Sequence, residues 1–410
     1  MDLLINIYIN KIYILMDYQK KYLKYKKKYT MLKQKLDLEN NIFGGKVTEF
    51  DSKISDANHQ FTINTFNNFD TASNIFSPLS LNYTLSLLHL GALDKTNNEL
   101  VNLLKYKYSL DDLDYIKNIF NDDSIKMSNL FIINNKYKIN KEYIDLVNNL
   151  AKFIFENFSD SDTISNKVNN FIEQKTNGLI KNVITPSDIK KDMILVLVNT
   201  IYFKSKWSKP FKINKTIRDK FYGENKFVDY MCKKDYYQYY ENNSYQIVEI
   251  PYKNDNYVLG IILPILPVNN DDVDYTINNV PILSTQEIDE LINNLQLEKV
   301  DLKIPKFTQK KRLEFVPILQ KMGLRQIFKQ NAQLDIISQE IFISRIIHEA
   351  VIIVDENGTK ASATTIVSGL ATMSMPVKEN IKIFKADHPF VFYIRHIPTN
   401  MFLFYGDFQG

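Results

Sequence analysis

Six consecutive apolar residues, Met193 to Val198, stand between Asp192 and Asn199. A run this short and unbroken is the pattern of a β-strand covered on both faces. It commits the chain to a central sheet with a layer of structure on either side. Apolar or alternating stretches over Val300 to Phe307, Ala350 to Asp355, Phe390 to Arg395 and Met401 to Tyr405 predict further strands, the last two joined by a short His-Ile-Pro-Thr-Asn turn. Helical spacing predicts helices over Lys141 to Asn157, Ile164 to Thr176, Thr285 to Asn294 and Leu313 to Met322. Another helix opens at Asn74-Ile75-Phe76-Ser77-Pro78, where Ser77 can cap and Pro78 can take the first helical position. Leu81, Leu85 and Leu88 then form its buried face, ending near Gly91. Helices and strands mix without regular βαβ alternation, so the expected class is α+β. With 45% hydrophobic residues in 410, the chain can bury a large core. Asn269 to Thr285 is read as a polar loop, an insertion.

The first 45 residues differ from the rest and are read as a leader and linker, with the main domain over 46–410. Leu3 to Leu15 is apolar but interrupted by Asn6, Asn10 and Lys11, and its 13 residues fall short of the roughly 20 a membrane-spanning helix needs. It lacks a positive n-region and a small-residue cleavage site, so no convincing signal peptide is read, and Met16 is an alternative start. Tyr18, Tyr22, Tyr25, Tyr29, Leu32 and Leu36 then repeat at 4-3-4-3-4 spacing, one helical stripe with lysines on the other faces. Met16 to Leu38 holds eight lysines against Asp17 and Asp37, a local +6 within a net charge of +4 that leaves the remainder near −2. A polyanion or membrane contact is therefore an expectation for this arm alone, and a specific nucleic-acid surface is not indicated. Phe43-Gly44-Gly45-Lys46 breaks the stripe and is no phosphate loop.

The common catalytic constellations are absent. There is no G-x-S-x-G elbow, no H-E-x-x-H, no C-x-x-C and no G-x-G-x-x-G after a strand. His59, His89, His348, His388 and His396 are scattered, without metal-ligand spacing to one another, and His89 and His348 read as hydrogen-bonded core residues. The single cysteine, Cys232, excludes an internal disulfide and a Cys-based zinc site. Neither a cofactor nor a metal is expected, and a hydrolase would have to assemble its triad from distant positions.

The informative stretch runs from Val351 to Pro376: an apolar strand, the turn Glu356-Asn357-Gly358-Thr359, and a long tract of small residues. Here the sequence resembles the serpin family, whose reactive-loop hinge has this form. Asn74-Ile75-Phe76-Ser77-Pro78-Leu79-Ser80, Thr176-Asn177-Gly178-Leu179-Ile180, Val198 to Lys204 with Trp207 and Phe211, Ile304-Pro305-Lys306-Phe307, and Phe384 to Phe390 match family signatures in the same order. The first of these is one residue short, the tail ends Gly406-Asp407-Phe408-Gln409-Gly410 without the usual Asn-Pro, and the loop is several residues long. The lysine- and tyrosine-rich leader resembles those of large amoeba-infecting DNA viruses, which implies a secreted, virion or host-cell setting. The resemblance implies three β-sheets, eight or nine helices and an exposed reactive loop at about 356–383. It also implies a monomeric inhibitor of serine, or cysteine, proteases that is cleaved, held as an acyl-enzyme and inserts its loop into the central sheet. The alternative is a non-inhibitory binding protein of the same fold that works through its basic arm.

For the hinge the resemblance names Glu356, Gly358, Thr359, Ala361, Ser362, Ala363 and Thr364. Ser77, Ser80 and His348 are expected beneath the point where the central strands part, and Asn199 and Trp207 near where insertion begins. Period-two reading of the tract supports insertion independently. Thr359, Ala361, Ala363, Thr365, Val367 and Gly369 share one face, all small or β-branched, while Lys360 falls on the other. The resemblance implies a scissile bond whose first residue lies fourteen after the hinge glycine, which from Gly358 gives Thr372–Met373, whereas matching the local Met-Ser-x-Pro pattern gives Met373–Ser374.

Overall fold

A computed structural model describes residues 49–70, 74–120, 122–222, 226–269, 272–273, 280, 282–358 and 380–410. The leader and the tract after Gly358, with Thr359, Ala361, Ser362, Ala363, Thr364, Thr372, Met373 and Ser374, lie outside them. Among the described residues there are eight α-helices: α1 (Glu49–Phe66), α2 (Pro78–His89), α3 (Asp94–Leu104), α4 (Leu110–Phe120), α5 (Lys141–Val147), α6 (Ser161–Lys175), α7 (Thr285–Asn293) and α8 (Val316–Lys321). The strands are β1 (Ile75–Phe76), β2 (Ile125–Asn134), β3 (Lys152–Glu156), β4 (Leu195–Phe203), β5 (Ile217–Phe221), β6 (Lys226–Glu241), β7 (Tyr245–Pro251) and β8 (Tyr257–Pro264). They continue with β9 (Val268–Asn269), β10 (Asp272–Val273), β11 (Gln296–Pro305), β12 (Phe307–Glu314), β13 (Ile343–Val354), β14 (Lys382–Lys385), β15 (Phe390–His396) and β16 (Met401–Phe408). Residues Ser52–Gly410 form one compact unit.

The strands build three sheets among the described residues. One has nine strands in the order β1-β16-β15-β8-β7-β6-β11-β14 with β5 on β6, one is the β9–β10 hairpin, and one has five strands in the order β12-β13-β4-β2-β3. The apolar run at 193–198 does become a central strand: every residue of β4 is buried. Its inner face rests on α2, which also touches β16 and so lies between the two large sheets. Helix α2 begins as its sequence dictates, Ser77 capping through the Ser80 amide and Pro78 in the first turn, and all twelve residues are buried. On the other face Ile164, Val168 and Ile172 of α6, with Ile180, Val183 and Ile184 after it, cover Val196, Val198 and Tyr202 of β4 and Ile347 and Val351 of β13.

Four expected elements change. The helix expected over Lys141 to Asn157 stops at Val147, and Lys152–Glu156 is strand β3, parallel to β2. Alternation in Lys-Phe-Ile-Phe-Glu, not helical spacing, governs that half. The strand expected over Val300 to Phe307 is the end of β11 and the first residue of β12, which belong to different sheets and part at Lys306. The helix expected from Leu313 starts only at Val316, because Leu313 and Glu314 still pair with His348 and Ile347 on β13. Finally, part of the expected polar loop, residues 268–269 and 272–273, is the β9–β10 hairpin.

Candidate functional site

The five-stranded sheet contains an unusual seam. β13 and β4 lie side by side and parallel, from Ile343 opposite Leu195 to Val351 opposite Tyr202, with a register shift between Ile343 and Arg345. Their outer neighbours are antiparallel, β12 to β13 and β2 to β4. Parallel pairing is slightly weaker per residue than antiparallel. A strand entering between β13 and β4 and running back against both would replace one parallel ladder by two antiparallel ones.

Polar side chains cross the seam at mid-strand. Asn129 of β2 is opposite Asn199 of β4, and Asn199 is opposite His348 of β13. His348 Nε2 accepts the Ser77 amide at 3.0 Å, so its Nδ1 carries the proton and donates to Asn199 Oδ1 at 2.5 Å. Asn199 Oδ1 also accepts from the Ser80 hydroxyl at 3.0 Å, and its amide donates to Thr84 Oγ1 at 3.1 Å and to Asn129 Oδ1. All of these groups are buried. Burial holds the His348 imidazole down at about 3, so it is neutral at ordinary pH. The His348–Asn199 bond spans the seam, and opening the seam breaks it. Ser77, Ser80, Asn199 and His348 thus stand together, with Asn199 at mid-strand rather than beside Trp207 at the strand's far end.

Beyond the end of β13 the chain turns sharply. Asp355 and Gly358 exchange backbone hydrogen bonds of 2.9 and 3.2 Å, and the Asn357 amide donates to Asp355 Oδ1 at 2.9 Å. The turn is tied to the chain following β4: the Trp207 amide donates to Asn357 O at 3.0 Å, the Phe211 amide to Glu356 O at 2.8 Å, and Trp207 Nε1 to Asp355 O at 2.7 Å. Trp207 itself is buried and stacks on Tyr252 at 4.6 Å. Gly358 has φ +130°, and a Cβ there would lie 2.3 Å from Ser205 O, 2.5 Å from Lys206 Cα and 2.6 Å from Trp207 N, all backbone atoms. Only glycine fits both the angle and the space.

Glu356 fixes the turn from its other side. One carboxylate oxygen accepts from the Thr216 hydroxyl at 2.7 Å and the other pairs with Lys306 at 3.0 Å. Burial opposes ionisation, but the Thr216 hydroxyl, the backbone and Lys306 outweigh it and hold the carboxyl below the ordinary glutamate value. Lys306, in the Ile304 to Phe307 motif, therefore clamps this turn.

The segment after α6 straps the seam. Arg312 of β12 donates to Val183 O at 2.6 Å, and Arg312 and Arg345 both grip Asp188 Oδ1, at 2.7 and 3.0 Å. Burial works against the Asp188 charge, yet the Thr185 amide and Arg312 hold its carboxyl below the usual range. The strap, Thr216, Thr84 and Asn129 escaped the sequence reading. Only Asn129, immediately before the apolar run Leu130 to Ile133, carried a signal.

No three His, Cys, Asp or Glu side chains come together as a metal site among the described residues, and none of the helices there is long and apolar enough to cross a membrane. His89 is held by Asn97 at 2.6 Å.

Comparison with known proteins gives a consistent picture. The family model for serpins (serine protease inhibitors) matches residues 56–409. The serpin-like protein R700 of Acanthamoeba polyphaga mimivirus is 51% identical over 402 residues, covering 96% of this chain and all of its own. Human Serpin B3 is 29% identical over 397 residues, covering 88% of this chain and all of its own. Among solved structures, native tengpin, a thermophilic serpin, superposes with a TM-score of 0.76 at 25% identity, covering 89% of this chain and 95% of tengpin. Uncleaved ovalbumin superposes with a TM-score of 0.73 at 24% identity, covering 87% of this chain and 100% of its own.

Proposed function

The chain belongs to the serpin family, whose members are generally protease inhibitors rather than enzymes, and from that premise we propose that it traps a serine or cysteine protease as a single-use substrate. The protease attacks a bond in the tract after Gly358, Thr372–Met373 or else Met373–Ser374, and its nucleophile forms an ester or thioester with the residue before the cut. The freed tract then inserts between β13 and β4 before water can resolve the acyl-enzyme. The protease is dragged along and its catalytic site deformed. The protease supplies the chemistry; this chain supplies a sheet that can accept one more strand.

The observation that carries this reading is the parallel β13–β4 seam, bridged by one buried side-chain pair and ending in a glycine turn. The turn starts the chain back toward β4, the direction an inserting strand takes. Its small, uncharged inward face can enter without burying a charge, and each inserted residue gains ladder hydrogen bonds. Serpin loop insertion is itself a standard example of strand addition to a sheet. Thr372 or Met373 before the cut suits an elastase-, chymotrypsin- or subtilisin-like pocket rather than the acidic pocket of a trypsin-like enzyme. A mimivirus relative at 51% identity extends the reading to a viral inhibitor acting on host proteases.

The test is incubation with such proteases followed by denaturing electrophoresis. A detergent-stable band near the summed masses supports trapping. Clipping of the loop with no such band, across all of these protease classes, overturns it in favour of a non-inhibitory protein of the same fold.

A further inference from the structure

Where β4 ends, a cavity of about 900 Å³ opens beside the hinge. Its walls come from four separate segments: the start of β2, the end of β4 with residues 204–206, the turn at 253–254, and residues 177–179 after α6. Lys126, Lys204, Lys206 and Lys253 converge on it. Lys126 is paired with the exposed Asp123 at 3.3 Å. Lys204, Lys206 and Lys253 are exposed and make no ion pair among the described residues. A second, independent feature lies in the same wall. Tyr202 is 1% exposed, and among the described residues its hydroxyl has no hydrogen-bond partner. Buried hydroxyls are almost always satisfied, so an unpartnered one on a residue in the wall of a cation-lined cavity calls for an acceptor from outside.

We propose that this cavity binds a compact, multiply charged oxyanion, a molecule carrying two or more phosphate or sulfate groups, with Lys204, Lys206 and Lys253 as its charge partners and the Tyr202 hydroxyl as a donor. The volume is that of an ordinary small-molecule site. Extended polyanions fit poorly: Asp123 lines the cavity, and Asp122, which accepts from Asn254 at 2.6 Å, lies just beyond it. A concave site of four segments with carboxylates beside it selects a ligand that enters rather than one that lies across.

The site is built into the moving part of the molecule. Lys206 forms a backbone bridge with Gly358, and Tyr202 is the register partner of Val351 across the β13–β4 seam. The 177–179 wall belongs to the segment strapped down by Arg312 and Arg345. Insertion of a strand into the seam separates Tyr202 from Val351 and Lys206 from Gly358. A ligand that needs these groups in place binds the closed sheet better than the inserted one, and by linkage it stabilises the closed sheet. This coupling rests on the insertion mechanism proposed above; the binding site does not.

Calorimetric titration of the full chain with tripolyphosphate, and separately with sucrose octasulfate, tests the proposal. One-to-one binding is expected, and the stronger probe identifies the phosphate or the sulfate source. The K204Q/K206Q/K253Q variant, its fold checked by circular dichroism, should bind at least roughly tenfold more weakly, since three charge-assisted contacts are lost. Tyr202→Phe should bind a few-fold more weakly with an unchanged salt dependence, because no charge is removed. Affinity equal to wild type in the triple variant puts the binding on the lysine-rich N-terminal segment and overturns the site. Affinity unchanged after loop cleavage, in protein whose melting temperature has risen, overturns the coupling. A melting temperature that does not rise on cleavage counts against the insertion mechanism alone.

Discussion

Protonating His348 should loosen the seam, and the size of the effect follows from where the residue sits. In the unfolded chain a histidine titrates near 6.5, whereas burial holds His348 at about 3 in the folded protein. Between those values the unfolded state binds the proton and the native state does not, so stability falls as pH falls, beginning near 6.5 and levelling off near 3. Each pH unit inside the window is worth about 1.4 kcal/mol, so lowering the pH from 7.5 to 5 costs about 2 kcal/mol through His348 alone. That figure holds for any folded value well below 5. His348→Gln removes the titration. Carboxylates held below their ordinary values, Asp188 and Glu356 among them, lose their contribution mostly below this range. His89, which burial also lowers, titrates in both proteins and cancels in the difference. The assay is denaturant unfolding of the native form of wild type and variant at pH 7.5, 6 and 5. The gap between the two proteins should close by about 2 kcal/mol across that range. Parallel pH dependences would show that the imidazole is not held neutral at the seam.

Other consequences test the hinge and the loop. Gly358→Ala puts a Cβ against three backbone atoms of residues 205–207, so the turn must shift; native stability should drop by about 1–3 kcal/mol, the cost of such strain, and an unchanged midpoint would refute the fit. Thr359→Arg or Ala363→Asp should convert inhibitor to substrate, because a charge on the inward face costs several kcal/mol to bury; undiminished trapping by both variants would remove insertion as the mechanism. Mass spectrometry of the fragment released from a trapped complex should find Met373, or alternatively Ser374, at its N-terminus. A fragment beginning at Glu379, with trypsin the protease best inhibited, would move the scissile bond to Lys378.

Legibility in the sequence followed how local each signal was. β4 and α2 were readable because one uninterrupted apolar run and one Ser-Pro cap settle them without reference to the rest of the chain. The end of β12 has no apolar alternation to mark it as strand: its middle is polar from Thr308 to Arg312, and Lys310 reaches Glu349 and Arg312 reaches Asp188, partners far away in sequence. Residues 141–157 failed for the opposite reason, a helical spacing running straight into five residues whose alternation only pairing with β2 makes decisive. Within the site, Glu356 and Gly358 were found by their resemblance to a hinge, and the physical need for glycine became visible only with the backbone of residues 205–207 against it. The polar row could not be assembled in advance. Asn129, Asn199 and His348 lie on three strands, and their adjacency is a property of sheet order and register.

The central claim is that the native sheet stores the capacity to take in its own loop, and the melting temperature before and after proteolysis confined to that loop measures it directly. On the proposed mechanism insertion converts the β13–β4 seam into two antiparallel ladders and the intact form is held kinetically, so the cleaved protein should melt far above the intact one. A melting temperature unchanged by loop cleavage would contradict the account.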